Sequence, residues 1–380
     1  MSVMRAIAYA AMLGSMQRDA KASDTAKDEL ERVQRQQLAH LLARNAGTAF
    51  GRSHGFDQIK TFEEFQQAVP LTDYDALVPW IDRIAAGEAD VLTADRVTRF
   101  VPSSGSAAAT KLIPYNEELR KEMHRALAPW VASAYRARPS LKRGRAYCSI
   151  SPPTEVQDAH GVIPVGFADD EEYLGRLGRW AYRRIFVSPG KVPADEFHRA
   201  HAAALLAADD LRLISVWSPT YLLSLFEQMR CDADAILAEL EGVVSNRRLA
   251  LLRRCLSAGD FAEVWPDLEL ISCWTDGPSA APARWLSDAL PQTALQPKGL
   301  MATEAVVSVP LAEGSDPVLA CRSHVFDCIE KDTGRALLPW EVQVGNRYGV
   351  VVTTGGGLYR YPLGDEVEIT GFYHSLPAMR

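Results

Sequence analysis

Four short stretches of the chain combine residue types that can hold phosphate, a divalent cation and a sugar. The first is Ser103-Ser104-Gly105-Ser106-Ala107-Ala108-Ala109-Thr110-Lys111. A loop rich in serine and glycine offers backbone N–H groups and hydroxyls to phosphate oxygens, and a lysine adds positive charge. It is not a Walker loop, because no Gly-Lys-Ser/Thr follows at the required spacing. Alone, it reads equally well as a surface turn. The second is Lys298-Gly299-Leu300-Met301-Ala302-Thr303-Glu304. There a hydroxyl can meet a phosphate oxygen while the adjacent carboxylate holds Mg²⁺. The third, Tyr359-Arg360-Tyr361-Pro362-Leu363-Gly364-Asp365, ends in an aspartate able to accept both ribose hydroxyls, although Gly-Asp is also ordinary turn chemistry. The fourth, Thr275-Asp276-Gly277-Pro278-Ser279, follows an expected strand and precedes a helix, the place where open α/β sheets bind ligands.

These stretches need elements to position them. Val97–Val101 reads as a strand running into the Ser/Gly loop, and a helix begins near Asn116 with Leu119, Met123, Ala126, Leu127 and Trp130 on its apolar face. The loop is therefore expected between a strand and a helix. Leu211–Trp217 is β-rich. Ser218-Pro219 then supplies an N-cap and a first-turn proline for a helix carrying Leu222, Leu225, Phe226 and Met229. Leu268–Trp274 is a further strand, with a helix from about Pro282, and Thr293–Gln296 another strand. This alternation predicts an α/β sheet with parallel strands. Upstream, 23–46 reads as one helix and 61–86 as two short helices around Val69-Pro70-Leu71-Thr72; Met1–Met16 is expected to be an N-terminal helix. Strand signals dominate from residue 305 on, at 305–310, 324–330, 340–344, 347–354 and 366–372, with Gly355-Gly356-Gly357 as a turn. That pattern predicts a β-rich lobe over about 305–372, followed by a short tail at 373–380.

Composition sets outer bounds. The chain has 380 residues, 47% of them hydrophobic and 23% charged, with a net charge of −7. That is an ordinary globular balance with no global attraction to nucleic acid or to anionic membranes. No run of about 18 apolar residues exists to span a bilayer. Six scattered cysteines without a Cys-x-x-Cys pair suit a reducing cytoplasm rather than a zinc site. His198 and His201 stand three apart without a third ligand at matching spacing, so a structural role is expected. Trp217, Trp274 and Tyr221 read either as core or as the wall of an apolar pocket.

The order of the four motifs is more specific than any one of them. The chain resembles the adenylate-forming enzymes, and within them the Gretchen Hagen (auxin-responsive promoter) family of acyl-acid amido synthetases. The resemblance rests on Ser103-Ser104-Gly105-Ser106 through Tyr115, Cys273-Trp274-Thr275-Asp276-Gly277, Lys298 to Glu304, and Thr353-Thr354 through Gly364-Asp365 to Phe372. It covers the chain from about Phe50 onward. The resemblance implies the large N-terminal adenylation domain over 1–372, with mixed sheets flanked by helices, and no counterpart of the family's small C-terminal domain. It also implies a two-step ligase using ATP and Mg²⁺, which activates a carboxylic acid as an acyl-adenylate and then passes it to an amine, usually an amino acid. Carried over by position, Ser103, Ser104, Gly105 and Ser106 would hold phosphates, with Asp276 and Gly277 along the adenine. Thr303 would meet the α-phosphate, Glu304 would bind Mg²⁺, and Asp365 with its neighbour Tyr359 would sit at the nucleoside. Lys111, and less directly Arg360, would neutralise pyrophosphate.

One departure weighs on activity. Ala107 and Ala108 stand where the family has a hydroxyl residue and a glycine. That removes a donor, and losing one in an oxyanion-type site costs about 10²–10³ in rate. It also removes a residue tolerant of positive φ. Two other readings stay open: an acyl-CoA-type ligase, which shares the first half-reaction and differs in the acceptor, and a non-catalytic nucleotide- or acid-binding relative, which the two alanines favour.

Overall fold

A computed structural model describes residues 2–103, 111–149, 159–166, 176–190, 192–311 and 315–380. The chain divides into two compact units. The first comprises Met1–Ser15, Ser133–Glu155 and Ala168–Lys298; the second comprises Met16–Ala132, Val156–Phe167 and Gly299–Arg380.

The first unit is built on a five-stranded parallel sheet. Its strand order is Phe186–Val187, Arg145–Ser149, Leu211–Val216, Leu270–Cys273 and Ala294–Pro297. Leu270–Cys273 is buried along its whole length, as expected of a parallel strand covered on both faces. The helix Pro219–Cys231 follows the strand Leu211–Val216 because Ser218 accepts a bond from the Thr220 N–H and Pro219 occupies the first turn. The helix Asn246–Ala258 is capped by Ser245 and ends on Gly259 in the left-handed conformation. Leu222, Leu225, Phe226 and Met229 bury the expected face. Phe226 stacks on Phe261 at 4.3 Å, and the Trp265 indole donates to Leu205 O at 3.0 Å, so the largest side chain of this core leaves no polar atom unmet. The predicted parallel α/β region is thus present.

The second unit carries a seven-stranded antiparallel sheet in the order Ser308–Val309, Val318–Leu319, Leu376–Met379, Tyr361–Tyr373, Arg347–Thr353, Val325–Glu330 and Ala336–Leu337. The predicted β-rich lobe corresponds to it, with two differences. The segment 340–344 forms no strand. The expected tail at 373–380 instead contributes Leu376–Met379, a fully buried strand inside the sheet. His374 at φ 57° makes the reversal, and Ser375 fixes it by donating to Lys27 O and accepting from the Leu30 N–H. Leu-Pro-Ala-Met has no β-branched residue, so propensity alone misses this strand.

The predicted helix over 23–46 is two helices, Val3–Ala26 and Leu30–Asn45. The short pair around 69–72 appears as Phe62–Ala68 and Tyr74–Ala85, the first begun by a Thr61/Glu64 capping box and the second by Asp73.

Candidate nucleotide site

The Ser/Gly motif is flanked by two strands rather than by a strand and a helix. Arg99–Ser103 pairs antiparallel with Lys111–Tyr115, so Ser103 lies directly opposite Lys111. The helix expected near Asn116 is present: it begins at Glu117, and Asn116 caps it by accepting from the Leu119 N–H. Ser104, Gly105, Ser106, Ala107 and Ala108 lie outside the described residues.

Thr303 and Glu304 occupy the tip of a tight hairpin. Met301 pairs antiparallel with Val306, the Ala302 N–H donates to Ala305 O at 2.9 Å, and the Val307 N–H donates to Leu300 O at 3.0 Å. Two residues remain at the turn, and they are the hydroxyl and the carboxylate. Glu304 is buried, and Ser103 Oγ donates to its Oε1 at 2.8 Å. That bond joins the foot of the Ser/Gly loop to the Thr-Glu hairpin across 201 residues of sequence.

Lys111 completes the cluster. Its Nζ donates to Tyr361 Oη at 3.0 Å and sits 5.6 Å from the centre of that ring. This hydrogen bond raises the Lys111 ammonium above its ordinary value, and the Glu304 carboxylate adds to the effect. The lysine therefore stays charged, aimed by a tyrosine that the motif reading had passed over. Tyr74 Oη accepts the Leu112 N–H at 2.7 Å, which holds the lysine's strand from the side. Asp365 is exposed beside Gly364, and the expected Gly-Asp turn is instead an irregularity within the strand Tyr361–Tyr373, where the φ of 89° that only glycine adopts easily accompanies a register shift against Arg347–Thr353.

Two residues expected at the nucleotide are spent elsewhere. The Arg360 guanidinium is buried, donates to Gln66 O and Val69 O at 2.9 and 2.8 Å, and pairs with Asp327 at 3.4 Å. The Tyr359 ring is fully buried, stacked on Phe50 at 4.7 Å, and its hydroxyl donates to Leu92 O. Arg360 adopts φ 45°, which breaks strand alternation, so Tyr359 and Arg360 both turn inward. Neither side chain is placed to meet a phosphate; both act as anchors for the segment that ends in Asp365.

Asp276 and Gly277 belong to the first unit. They are exposed just past the carboxyl end of the buried strand Leu270–Cys273, with Gly277 at φ 51° opening a short 3₁₀ turn. This is the strand-end position expected of a ligand loop in a parallel sheet. Nearby in the same unit, Trp217 and Trp274 are half-buried and meet edge to face at 5.5 Å, joined by the Trp274 N–H donating to Trp217 O. Tyr221 bonds to Tyr147 Oη at 3.0 Å, and Tyr147 Oη meets His201 Nδ1 at 2.8 Å. Burial, with His198 as a smaller cause, pushes His201 down to about 4. His201 thus works as a partner of tyrosine, in keeping with the structural role expected of it.

Among the described residues no group of three or more His, Cys, Asp or Glu could hold a metal ion. A hairpin offering one carboxylate and one hydroxyl suits Mg²⁺ held jointly with substrate phosphates, and suits a zinc or calcium cage poorly. No helix among them is long and apolar enough to cross a membrane.

Sequence comparison supplies the family. The GH3 family N-terminal domain matches residues 20–295 and the GH3 family central domain matches residues 322–380. The chain belongs to the GH3 family. It is 25% identical over 410 residues to the indole-3-acetic acid-amido synthetase GH3.8 of Oryza sativa subsp. indica, covering 94% of this chain and 67% of that protein. It is also 25% identical over 387 residues to the probable indole-3-acetic acid-amido synthetase GH3.1 of Arabidopsis thaliana, covering 91% and 65%. The chain thus spans about two-thirds of the length of these relatives. Among solved structures, the AtGH3.15 acyl acid amido synthetase in complex with 2,4-DB superposes with a TM-score of 0.79 at 19% identity, over 96% of this chain and 69% of that one. The shared fold is that of an acyl acid amido synthetase.

Proposed function

We propose that this protein activates a carboxylic acid with Mg-ATP and conjugates the acyl group to an amine, most simply an amino acid. The observation that carries the reading is the Ser103–Glu304 hydrogen bond, which joins two motifs expected to act on the same phosphates. Family membership and the names of the amido synthetase relatives support it.

In the first step a substrate carboxylate oxygen bonds to the α-phosphorus of ATP and the bond to pyrophosphate breaks. Negative charge builds on phosphate oxygens, and preorganised donors and cations lower its energy. Thr303 Oγ1 would donate to the α-phosphate, Lys111 would neutralise pyrophosphate, and Glu304 would hold Mg²⁺, which would supply further positive charge against the phosphates. Ser103 fixes the rotamer of Glu304, and Tyr361 fixes the lysine. Asp365 would accept the ribose hydroxyls. In the second step the amine attacks the acyl carbonyl, AMP leaves with the bonding pair, and the amine loses a proton to form the amide. A cytoplasmic setting suits the ATP supply and the free cysteines.

ATP–pyrophosphate exchange in the presence of Mg²⁺, run against a panel of small carboxylic acids, tests the first step. Acid-dependent exchange is expected, and the responding acid names the substrate class. ATP binding without exchange for any acid would contradict the activation step and favour a nucleotide-binding role.

A further inference from the structure

Behind the Thr303-Glu304 hairpin lies a buried polar network that none of the nucleotide motifs contains. Its centre is His324, 1% exposed, beside Glu122, 5% exposed. The Val306 N–H points at His324 Nε2 at 3.2 Å. A backbone N–H can only donate, so Nε2 accepts and the ring proton sits on Nδ1. That N–H donates to Glu122 Oε2 at 2.9 Å. Both oxygens of Glu122 also lie within 3.0 Å of the Gly355 N–H. One carboxylate therefore ties together a histidine that grips the base of the Glu304 hairpin and the first residue of the Gly355-Gly356-Gly357 turn.

The surroundings reinforce each arm. Val306 is held from its other side as well, since Ser323 Oγ donates to Val306 O at 3.1 Å. The backbone bearing Ser323 and His324 is clamped by Gln34, which donates to Cys321 O and His324 O and accepts from the Phe326 N–H. Asn116 Nδ2 donates to Gly355 O at 2.8 Å, so this glycine is held through both its N–H and its carbonyl. The turn approaches the helix Glu117–Ala137 closely enough that a Cβ on Gly355 would stand 2.6 Å from Glu118 Cγ, and one on Gly356 would stand 2.9 Å from Leu119 Cδ2. The Gly turn leads within a few residues into Tyr361, which aims Lys111, and then into Asp365.

We propose that Glu122 and His324 are positioning residues of the nucleotide site: His324 fixes the Glu304 hairpin through Val306, and Glu122 links that hairpin to the glycine turn that sets Tyr361 and Asp365. This rests on the reading of Glu304 as the Mg²⁺ carboxylate. Neither residue touches the nucleotide; both act by fixing backbone that does. A dedicated buried histidine is a costly way to satisfy one backbone N–H unless its aim matters, because an unpaired partner in the same place is strongly penalised. Outer partners that orient a metal carboxylate typically change metal affinity by roughly 10–100-fold when removed.

The test measures ATP affinity by calorimetry with and without Mg²⁺, alongside thermal unfolding, for the wild type, His324→Phe, His324→Gln and Glu122→Gln. His324→Phe should raise the Mg²⁺ concentration needed for half-maximal tightening of ATP binding by about tenfold while leaving Mg²⁺-free ATP affinity unchanged. His324→Gln keeps an acceptor for Val306 and a donor for Glu122, and should stay close to the wild-type Mg²⁺ requirement, which is measurable even where His324→Phe unfolds. Glu122→Gln turns an N–H₂ toward one of its two donors and should weaken ATP binding both with and without Mg²⁺. If Glu122→Gln lowers the melting temperature but keeps the wild-type ATP affinity, and His324→Phe, where it folds, keeps the wild-type Mg²⁺ dependence, the network is structural only and the proposal is overturned. If the wild type shows no Mg²⁺-dependent ATP binding, the reading of Glu304 fails first, and the proposal with it.

Discussion

The two units bury their polar groups differently. In the first unit the core is a cluster of Leu, Ile, Val, Phe and Trp around a parallel sheet, and few described polar side chains are buried: Ser215, Arg248, Ser272, Thr293 and Lys298. In the second unit buried Gln34, Asn116, Glu122, Ser103, Glu304, His324, Asp327 and Arg360 thread through an otherwise apolar core. Most of these hold backbone or one another by hydrogen bonds. A parallel sheet with apolar runs reaches stability by area alone, and it leaves its ligand groups at exposed strand ends such as Asp276. The antiparallel lobe spends buried polarity on fixing backbone, and that backbone carries Thr303, Glu304 and Asp365. Precision in the second unit therefore comes from satisfied polar networks, which stabilise only while every member is paired.

The largest effect that would break this comparison is at Arg360. Asp327 is 1% exposed, and burial raises its carboxyl pKa against the opposing pull of Arg360. Arg360→Leu leaves that carboxylate without its cation and should cost about 3–5 kcal/mol of unfolding free energy by denaturant titration. A loss below about 1 kcal/mol would show that the buried polarity of this unit is not critical. Next comes Gly355→Ala, whose new methyl meets Glu118 Cγ at 2.6 Å and Glu122 Oε1 at 3.0 Å. Overpacking of this kind should cost about 1–3 kcal/mol, whereas alanine at Gly14, which has nothing within 4 Å, should be neutral or mildly stabilising.

The smallest effect sharpens the contrast from the side of the first unit. His201 has its pKa lowered from 6.5 to about 4, mainly by burial. The unfolded chain binds this proton first as pH falls, so stability should decline between about pH 6.5 and pH 4 and level off below. With solvent screening of a partly exposed ring, the decline is on the order of 1–2 kcal/mol. His201→Gln should flatten that part of the profile in unfolding experiments at pH 7 and pH 4.5. An unchanged slope in the variant would mean that other groups set the acid response.

The residues with restricted chemistry were legible in sequence, and their directions were not. Ser103, Lys111, Thr303, Glu304 and Asp365 announced themselves by type and order, and the parallel sheet by its alternation of strand and helix. Tyr359 and Arg360 belong to the same motif, but the φ of 45° at Arg360 turns both inward, which no two-residue periodicity foretells. The second strand flanking the Ser/Gly motif is missed by local pattern because Lys111–Tyr115 is five residues long and finds its partner Arg99–Ser103 on the far side of residues 104–110. His324 and Tyr361 find their partners 202 and 250 residues away, out of reach of local pattern. Glu122 did leave a signal. It stands between Leu119 and Ala126 on the buried face of its helix, and a lone acid on an apolar face asks for a partner.

The central claim is that Glu304 and Asp365 serve one nucleotide in different ways, and ATP titration by calorimetry tests it directly. With wild type, Glu304→Gln and Asp365→Ala measured with and without Mg²⁺, Glu304→Gln should weaken ATP binding only when Mg²⁺ is present, and Asp365→Ala should weaken it in both conditions. Wild-type affinity for both variants, with and without the metal, would contradict the account.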